Sequence, residues 1–211
     1  MGPPGAGKGS QSEKLVKDYE LTNISTGEMF REAYRNNSPL GIEAMRYINK
    51  GELVSDEITN EIVRKRLLRS DAERCFLLDG YPRTVAQAEA LDKMLEKMQS
   101  KLNAVINIVV DKQAILERMV GRRVCKSCGS TYHLSFKPPR VDGVCDSCGG
   151  ELYQREDDQL DSVKNRLEIY ETKTKPIIDY YSKRGILRNV DGMQSFDAVY
   201  KDIKQALGEV I

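Results

Sequence analysis

The sequence predicts an α/β protein: a parallel β-sheet covered on both faces by helices, with two smaller lobes inserted into it. Three observations carry that expectation. Short apolar runs of strand type at 75–78 and 104–110, and a weaker one at 186–190, are separated by segments whose apolar residues keep helical spacing; strand alternating with helix is the signature of a parallel sheet. A glycine-rich run, Gly2-Pro3-Pro4-Gly5-Ala6-Gly7-Lys8-Gly9-Ser10, leads directly into a helical pattern. Two C-x-x-C pairs, Cys125/Cys128 and Cys145/Cys148, sit in a Tyr/Pro/Gly-rich stretch that lacks a core pattern of its own.

Taken in order, the glycines of the first run let successive backbone N–H groups turn into one concave space, where they can cradle phosphate oxygens. Lys8 adds a cation, and the helical run 10–17 aims the positive end of its dipole at the same place. The spacing is that of a P-loop, G-x-x-x-x-G-K, except that Gly9 follows the lysine and the hydroxyl comes one place later, at Ser10. Residues 21–25 suit a strand. Met29, Phe30, Ala33 and Tyr34 then mark a helix, and Ser38-Pro39 starts another on which Ile42, Met45 and Ile48 line one face before Gly51 stops it. These two short helices form a small lobe over about 25–54. Ser55-Asp56 caps a helix with Ile58, Ile62 and Leu67, the next strand runs out into Asp79-Gly80-Tyr81-Pro82-Arg83, and Thr84-Val85-Ala86-Gln87 reads as a capping box. The last helix, capped by Ser195, is expected to bury Phe196, Val199, Ile203 and Leu207.

Charge excludes some classes of function. Lys plus Arg number 33 against 32 Asp plus Glu in 211 residues, a formal net charge of +1, which does not suit a bulk nucleic-acid or membrane partner. No apolar run reaches the ~20 residues of a membrane span and no signal-like segment opens the chain, so a cytoplasmic protein is expected. In that compartment the cysteine pairs, sixteen residues apart and each followed by glycine, read as four thiolates for one structural Zn²⁺ and not as disulfides. Cys75 is expected in the core, and His133, the single histidine, at the surface or in packing.

Several stretches together resemble adenylate kinase, a nucleoside monophosphate kinase: residues 2–10, Ile24-Ser25-Thr26-Gly27-Glu28-Met29, Asp79-Gly80-Tyr81-Pro82-Arg83-Thr84 with Gln87, Gly121-Arg122-Arg123-Val124, and Arg155-Glu156-Asp157-Asp158 with Arg166. The cysteine insertion resembles the zinc-bearing lid of many bacterial members. The resemblance implies the P-loop nucleoside monophosphate kinase fold, with a core at 1–24, 55–120 and 159–211, an NMP-binding lobe at 25–54 and a zinc lid at 121–158 that close over the reaction. It implies a cytoplasmic monomer that moves a phosphoryl group from Mg-ATP to AMP, giving two ADP.

By the same resemblance, Gly5, Ala6, Gly7, Lys8, Gly9, Ser10, Arg118, Arg122, Thr131, Tyr132 and Gln194 face ATP. Thr26, Arg31, Glu52, Leu53, Val54, Gly80, Tyr81, Pro82, Arg83, Gln87, Arg155 and Arg166 face AMP. Lys8, Arg83, Arg122, Arg155 and Arg166 surround the transferring phosphates, Asp79 orients the water shell of Mg²⁺, and Cys125, Cys128, Cys145 and Cys148 hold Zn²⁺. The residues support the cationic cluster independently, since phosphoryl transfer asks chiefly for alignment and charge stabilisation. A kinase for UMP or CMP stays open, the long lid counting against it, and a zinc-ribbon nucleic-acid module has only Arg122, Arg123 and Lys126 in its favour. In the family a central strand precedes the loop, but here only Met1 precedes Gly2. The expectation is that the gene product carries apolar residues ahead of Met1 and that the chain beginning at Met1 is poorly folded and weakly active.

Overall fold

The computed structural model describes residues 1–208. Helix α1, Lys8–Tyr19, grows out of the glycine-rich loop, with Gly7 in the left-handed region at φ 90° as its N-cap. Strand β1 is Thr22–Ser25, and α2, Thr26–Arg35, follows it without a linker. Helix α3, Pro39–Asn49, has its proline in the first turn, and α4, Asp56–Leu67, is capped by Ser55, whose Oγ accepts from Ile58 N at 3.3 Å. Strand β2 is Phe76–Asp79, α5 is Val85–Lys97, β3 is Val105–Val109 and α6 is Lys112–Val120. A three-stranded antiparallel sheet of β4, Arg122–Cys125, β5, Thr131–His133, and β6, Leu152–Tyr153, has β4 in the middle. The chain returns through α7, Leu160–Ile169, α8, Pro176–Ser182, β7, Leu187–Asp191, and α9, Phe196–Gly208.

The core strands pair in parallel, as the alternating pattern requires, but in two separate pairs, β1 with β2 and β3 with β7. Between the described strands, the ladder is continued beside β3 by Met1 alone: its amino group donates to Ile106 O and its carbonyl accepts from Ile108 N at 3.0 Å. Gly2 then passes so close to β3 that a Cβ on it would stand 2.5 Å from Ile108 O. This pairing buries the amino terminus, and desolvation, with the Lys8 charge nearby, pushes its pKa down to about 5.

Two apolar clusters fill the two halves. Ala6, Leu15, Ile108, Val190, Val199, Tyr200 and Ile203 gather under the loop, α1 and α9, while Ile24, Val63, Leu67, Tyr81, Leu91 and Leu95 join β1 to α4 and α5. No described helix is long and apolar enough to cross a membrane.

Two packing expectations are corrected. Phe196 is 45% exposed because it opens α9 at the edge of the layer, where the Lys14 ammonium lies 5.5 Å from its ring centroid. Cys75 precedes β2 instead of lying in it and is half-buried, its thiol facing Glu20 O at 3.8 Å.

Candidate active site

Lys8 lies in the first turn of α1 and folds back over its own loop. Its ammonium donates to Gly2 O at 2.8 Å and Pro3 O at 2.7 Å, which leaves one of its three hydrogens for a ligand. Burial, reinforced by Arg83, Arg166 and Arg122 and opposed by Asp79, pushes its pKa down to about 7. Asp79 ends β2 beside the loop, its Oδ2 3.9 Å from where a Cβ on Gly9 would stand. The carboxyl end of a parallel strand is where open α/β sheets bind ligands.

The arginines reach this place from four separate segments. Arg83 stands in the turn after β2 and donates to Gly80 O at 2.8 Å, and its burial lowers its pKa. Arg122 opens β4, where its Nε donates to Asp158 Oδ2 at 2.8 Å and its Nη2 to the other carboxylate oxygen. Although burial opposes it, the Asp158 hydrogen bond and charge raise the Arg122 pKa. Arg166 on α7 donates to Asp157 Oδ2 at 2.7 Å and to Asp157 O at 3.0 Å, and lies 3.7 Å from Asp158; burial nevertheless lowers its pKa to about 10. Arg155 has a buried Nε with no hydrogen-bond partner, and burial followed by Arg31 and Arg122 lowers its pKa.

Asp157 and Asp158 therefore hold the guanidinium heads in place. They are 3% and 0% exposed, and carboxylates buried this deeply need such partners. Arg166, Arg31, Arg122 and Arg155 outweigh burial and keep the Asp157 carboxyl below the usual carboxylate range. Both residues fall in the stretch 155–158 that resembles the family, yet no local pattern gives either of them a role. The available signal was the acidic run Glu156-Asp157-Asp158 between Arg155 and Arg166.

Of the residues expected around the acceptor, Thr26, Arg31, Glu52, Leu53, Val54, Gly80, Arg83, Gln87 and Arg166 line one cleft between α2, the end of α3 and the turn after β2. Thr26 Oγ1 donates to Gly80 O at 3.0 Å, and Arg31 lies 3.8 Å from Asp157. Tyr81 and Pro82 are buried outside that lining; the Tyr81 hydroxyl donates to Asn60 Oδ1 at 2.6 Å and packs with α4 and α5. Across the molecule, Arg118 on α6 donates to Gly192 O at 3.0 Å, and Gln194, in the same turn after β7, donates to Asp191 O at 3.3 Å and Asp202 Oδ2 at 2.8 Å. These two residues, distant in sequence, thus share a rim. Thr131 and Tyr132 lie on β5, but the Tyr132 side chain is buried within the small sheet, its hydroxyl accepting from Asp146 N at 2.8 Å and lying 3.4 Å from Cys145 Sγ.

Cys125, Cys128, Cys145 and Cys148 converge, with all four sulfurs within 4.8 Å of one another. The Cys125–Cys148 and Cys128–Cys145 separations are 3.5 and 3.6 Å, near the ~3.8 Å edge of a tetrahedron with Zn–S bonds of ~2.3 Å. The donor set and its geometry fit a structural zinc ion. His133 stays outside it: its Nδ1 accepts from Ser135 N and Phe136 N at 3.0 and 3.1 Å, and its Nε2 lies 3.3 Å from Glu117 O, tying the small sheet to α6.

The family model described as adenylate kinase matches residues 1–186. The chain belongs to the adenylate kinase family. It is 56% identical over 207 residues to the adenylate kinase of Carboxydothermus hydrogenoformans, covering 98% of this chain and 97% of that one. To the adenylate kinase of Bacillus subtilis it is 55% identical over 208 residues, 99% of this chain and 96% of that one. Membership makes the chain a phosphotransferase and gives the P-loop, the clustered arginines and the four-cysteine sheet one common context.

Proposed function

We propose that this protein catalyses the reversible transfer of the terminal phosphoryl group of Mg-ATP to AMP, giving two ADP, as a cytoplasmic monomer that needs no nucleic-acid or membrane partner. The observation that carries the reading is the convergence of Lys8, Arg83, Arg122 and Arg166 beside the Asp79 end of β2. Burial is the main cause of the lowered Lys8 pKa, and the charges of Arg83, Arg166 and Arg122 add to it. Nearly full-length similarity to adenylate kinases supports the choice of reaction.

ATP lies with its phosphates in the loop of Gly5, Ala6, Gly7, Lys8, Gly9 and Ser10 and its base between Arg118 and the Gln194 turn, with Thr131 and the Tyr132 backbone above. AMP occupies the cleft of Thr26, Arg31, Gln87 and the 52–54 segment. Its phosphate points to Arg83, Arg155 and Arg166. The AMP phosphate oxygen is already anionic, so attack needs no general base, and the protein contributes alignment and neutralisation of charge as the phosphoryl group crosses. Magnesium bound to ATP supplies further charge neutralisation; Asp79 would hold its water shell. The segments 25–54 and 121–158 act as lobes over the core at 1–24, 55–120 and 159–211, excluding water that would otherwise hydrolyse ATP. Zinc held by the four cysteines staples the second lobe and takes no part in the chemistry.

The test is ADP formation from Mg-ATP with AMP, UMP, CMP and GMP. A site that reads the base by hydrogen bonds should favour AMP by ~10²-fold or more; comparable turnover of UMP or CMP would move the assignment to another monophosphate.

A further inference from the structure

Gln87 sits in the third helical position of α5, almost wholly buried, and it lines the acceptor cleft. Its side-chain amide is held on both sides. Oε1 accepts from the backbone N–H of Arg83 at 2.7 Å, and Nε2 donates to Asp56 Oδ1 at 2.7 Å. The second oxygen of Asp56 accepts from Thr84 Oγ1 at 2.9 Å, and Thr84 Oγ1 in turn accepts from Gln87 N at 3.1 Å.

These partners permit one orientation of the amide only. A carboxylate accepts and cannot donate, and a backbone N–H donates and cannot accept. Rotating the amide by half a turn would set its oxygen against the Asp56 carboxylate and its NH₂ against the Arg83 N–H. The terminal torsion of glutamine is otherwise broad and roughly two-fold, so an untethered amide would offer a ligand donor and acceptor in either order. With the tethers in place, one N–H and one oxygen lone pair remain, in a fixed order.

Order is what distinguishes bases of similar shape. The pairing edge of adenine offers the exocyclic N6–H as donor beside N1 as acceptor. Hypoxanthine and guanine offer O6 as acceptor beside N1–H as donor, the reverse, and uracil has the same reversed order at O4 and N3–H. Cytosine shares the adenine order and is separated by size instead.

We propose that Asp56 is a specificity-determining positioning residue: its carboxylate fixes the Gln87 amide so that the acceptor site pairs with an adenine edge and rejects the reversed edge of hypoxanthine, guanine or uracil. This rests on the reading that Gln87 faces the acceptor base. Asp56 need not touch the nucleotide, because it acts through Gln87. The stronger of the two tethers is the one it supplies, since hydrogen bonds to an ionised acceptor are roughly twice as strong as neutral ones.

The experiment compares kcat/KM for AMP and for IMP, with Mg-ATP as donor, in the unaltered protein and in Asp56→Asn, Asp56→Ser and Gln87→Ala. IMP is the apt probe because it differs from AMP only in the order of donor and acceptor on that edge. Asparagine can donate to a flipped Gln87 oxygen, and serine, a shorter neutral replacement, keeps the proposal testable should asparagine destabilise the fold. The AMP/IMP ratio is expected to fall by about tenfold in both Asp56 variants, the Arg83 N–H tether remaining, and further in Gln87→Ala.

A ratio unchanged at Asp56 but collapsed in Gln87→Ala would overturn the proposal and leave Gln87 as the base reader. Equal loss of kcat/KM for both acceptors in the Asp56 variants would reduce the residue to a structural support and would also overturn it. A wild-type ratio in Gln87→Ala, or equal use of AMP and IMP by the unaltered protein, would overturn the Gln87 reading along with it.

Discussion

At the scale of single residues, Lys8 shows how a burial cost is set against ligand charge. Its ammonium is taken from water and surrounded by Arg83, Arg166 and Arg122, so the charged form is disfavoured and the pKa falls to about 7. A polyphosphate in the loop favours the charged form again. Binding of Mg-ATP at pH 8 is therefore expected to take up a proton, and the uptake should shrink near pH 6, where Lys8 is already charged. Binding heats in two buffers of different ionisation enthalpy measure it directly. Lys8→Met should abolish the buffer dependence and lower kcat by ~10³-fold or more while the fold persists. Binding at pH 8 without proton uptake in the unaltered protein would contradict the role given to burial. The same shift bears on stability: between about pH 7 and its ordinary pKa, Lys8 binds fewer protons folded than unfolded, so its contribution improves as pH rises through that window.

At the scale of elements, the contrast lies between helices that carry their own reasons to form and a sheet that does not. Helix α4 has its Ser55 cap, acidic residues in its first turn and basic ones in its last. In the β4–β6 sheet, Cys125, Tyr132, Cys145 and Leu152 form one small buried cluster, with Val124 buried beside it in sequence. A cluster that small cannot hold a sheet by apolar burial alone. Metal analysis is accordingly expected to find one zinc per chain. Chelation or Cys145→Ser should lower the melting temperature, chiefly through the 121–158 segment, with a modest loss of activity at low temperature. An unchanged melting curve in metal-free protein would remove the stapling role. Sequence spacing made this element legible as four ligands. It did not reveal that His133 ties the same sheet to α6 through Glu117 O, because that contact depends on Gly121: a Cβ there would stand 2.3 Å from the imidazole Nε2.

At the scale of the whole molecule, the two parallel pairs β1–β2 and β3–β7 meet across a seam where, among the described residues, Met1 provides the only backbone pairing to the edge of β3 that faces away from β7. Extending the chain ahead of Met1 by a few β-branched residues should continue the ladder along β3 and raise the melting temperature. Equal melting and ADP formation with and without the extension would show that the sheet does not need it.

The alternation of strand and helix, the phosphate loop, the cysteine quartet and the family are legible in the chain alone, because each rests on local spacing: glycines before a lysine and a helix, thiols at C-x-x-C separation, apolar residues at helical or strand period. Which charges meet depends on how the chain crosses itself in the fold. That Asp157 and Asp158 clamp Arg31, Arg122 and Arg166, that Arg118 and Gln194 share a rim, and that Asp56 of α4 reaches Gln87 of α5 are matters of chain crossing between distant segments. The capping box shows the division within one residue. Thr84 does cap α5, as the local pattern required, but the Gln87 side chain turns to Arg83 N and Asp56 and not to the Thr84 backbone, because a carboxylate brought in by another helix is the stronger partner.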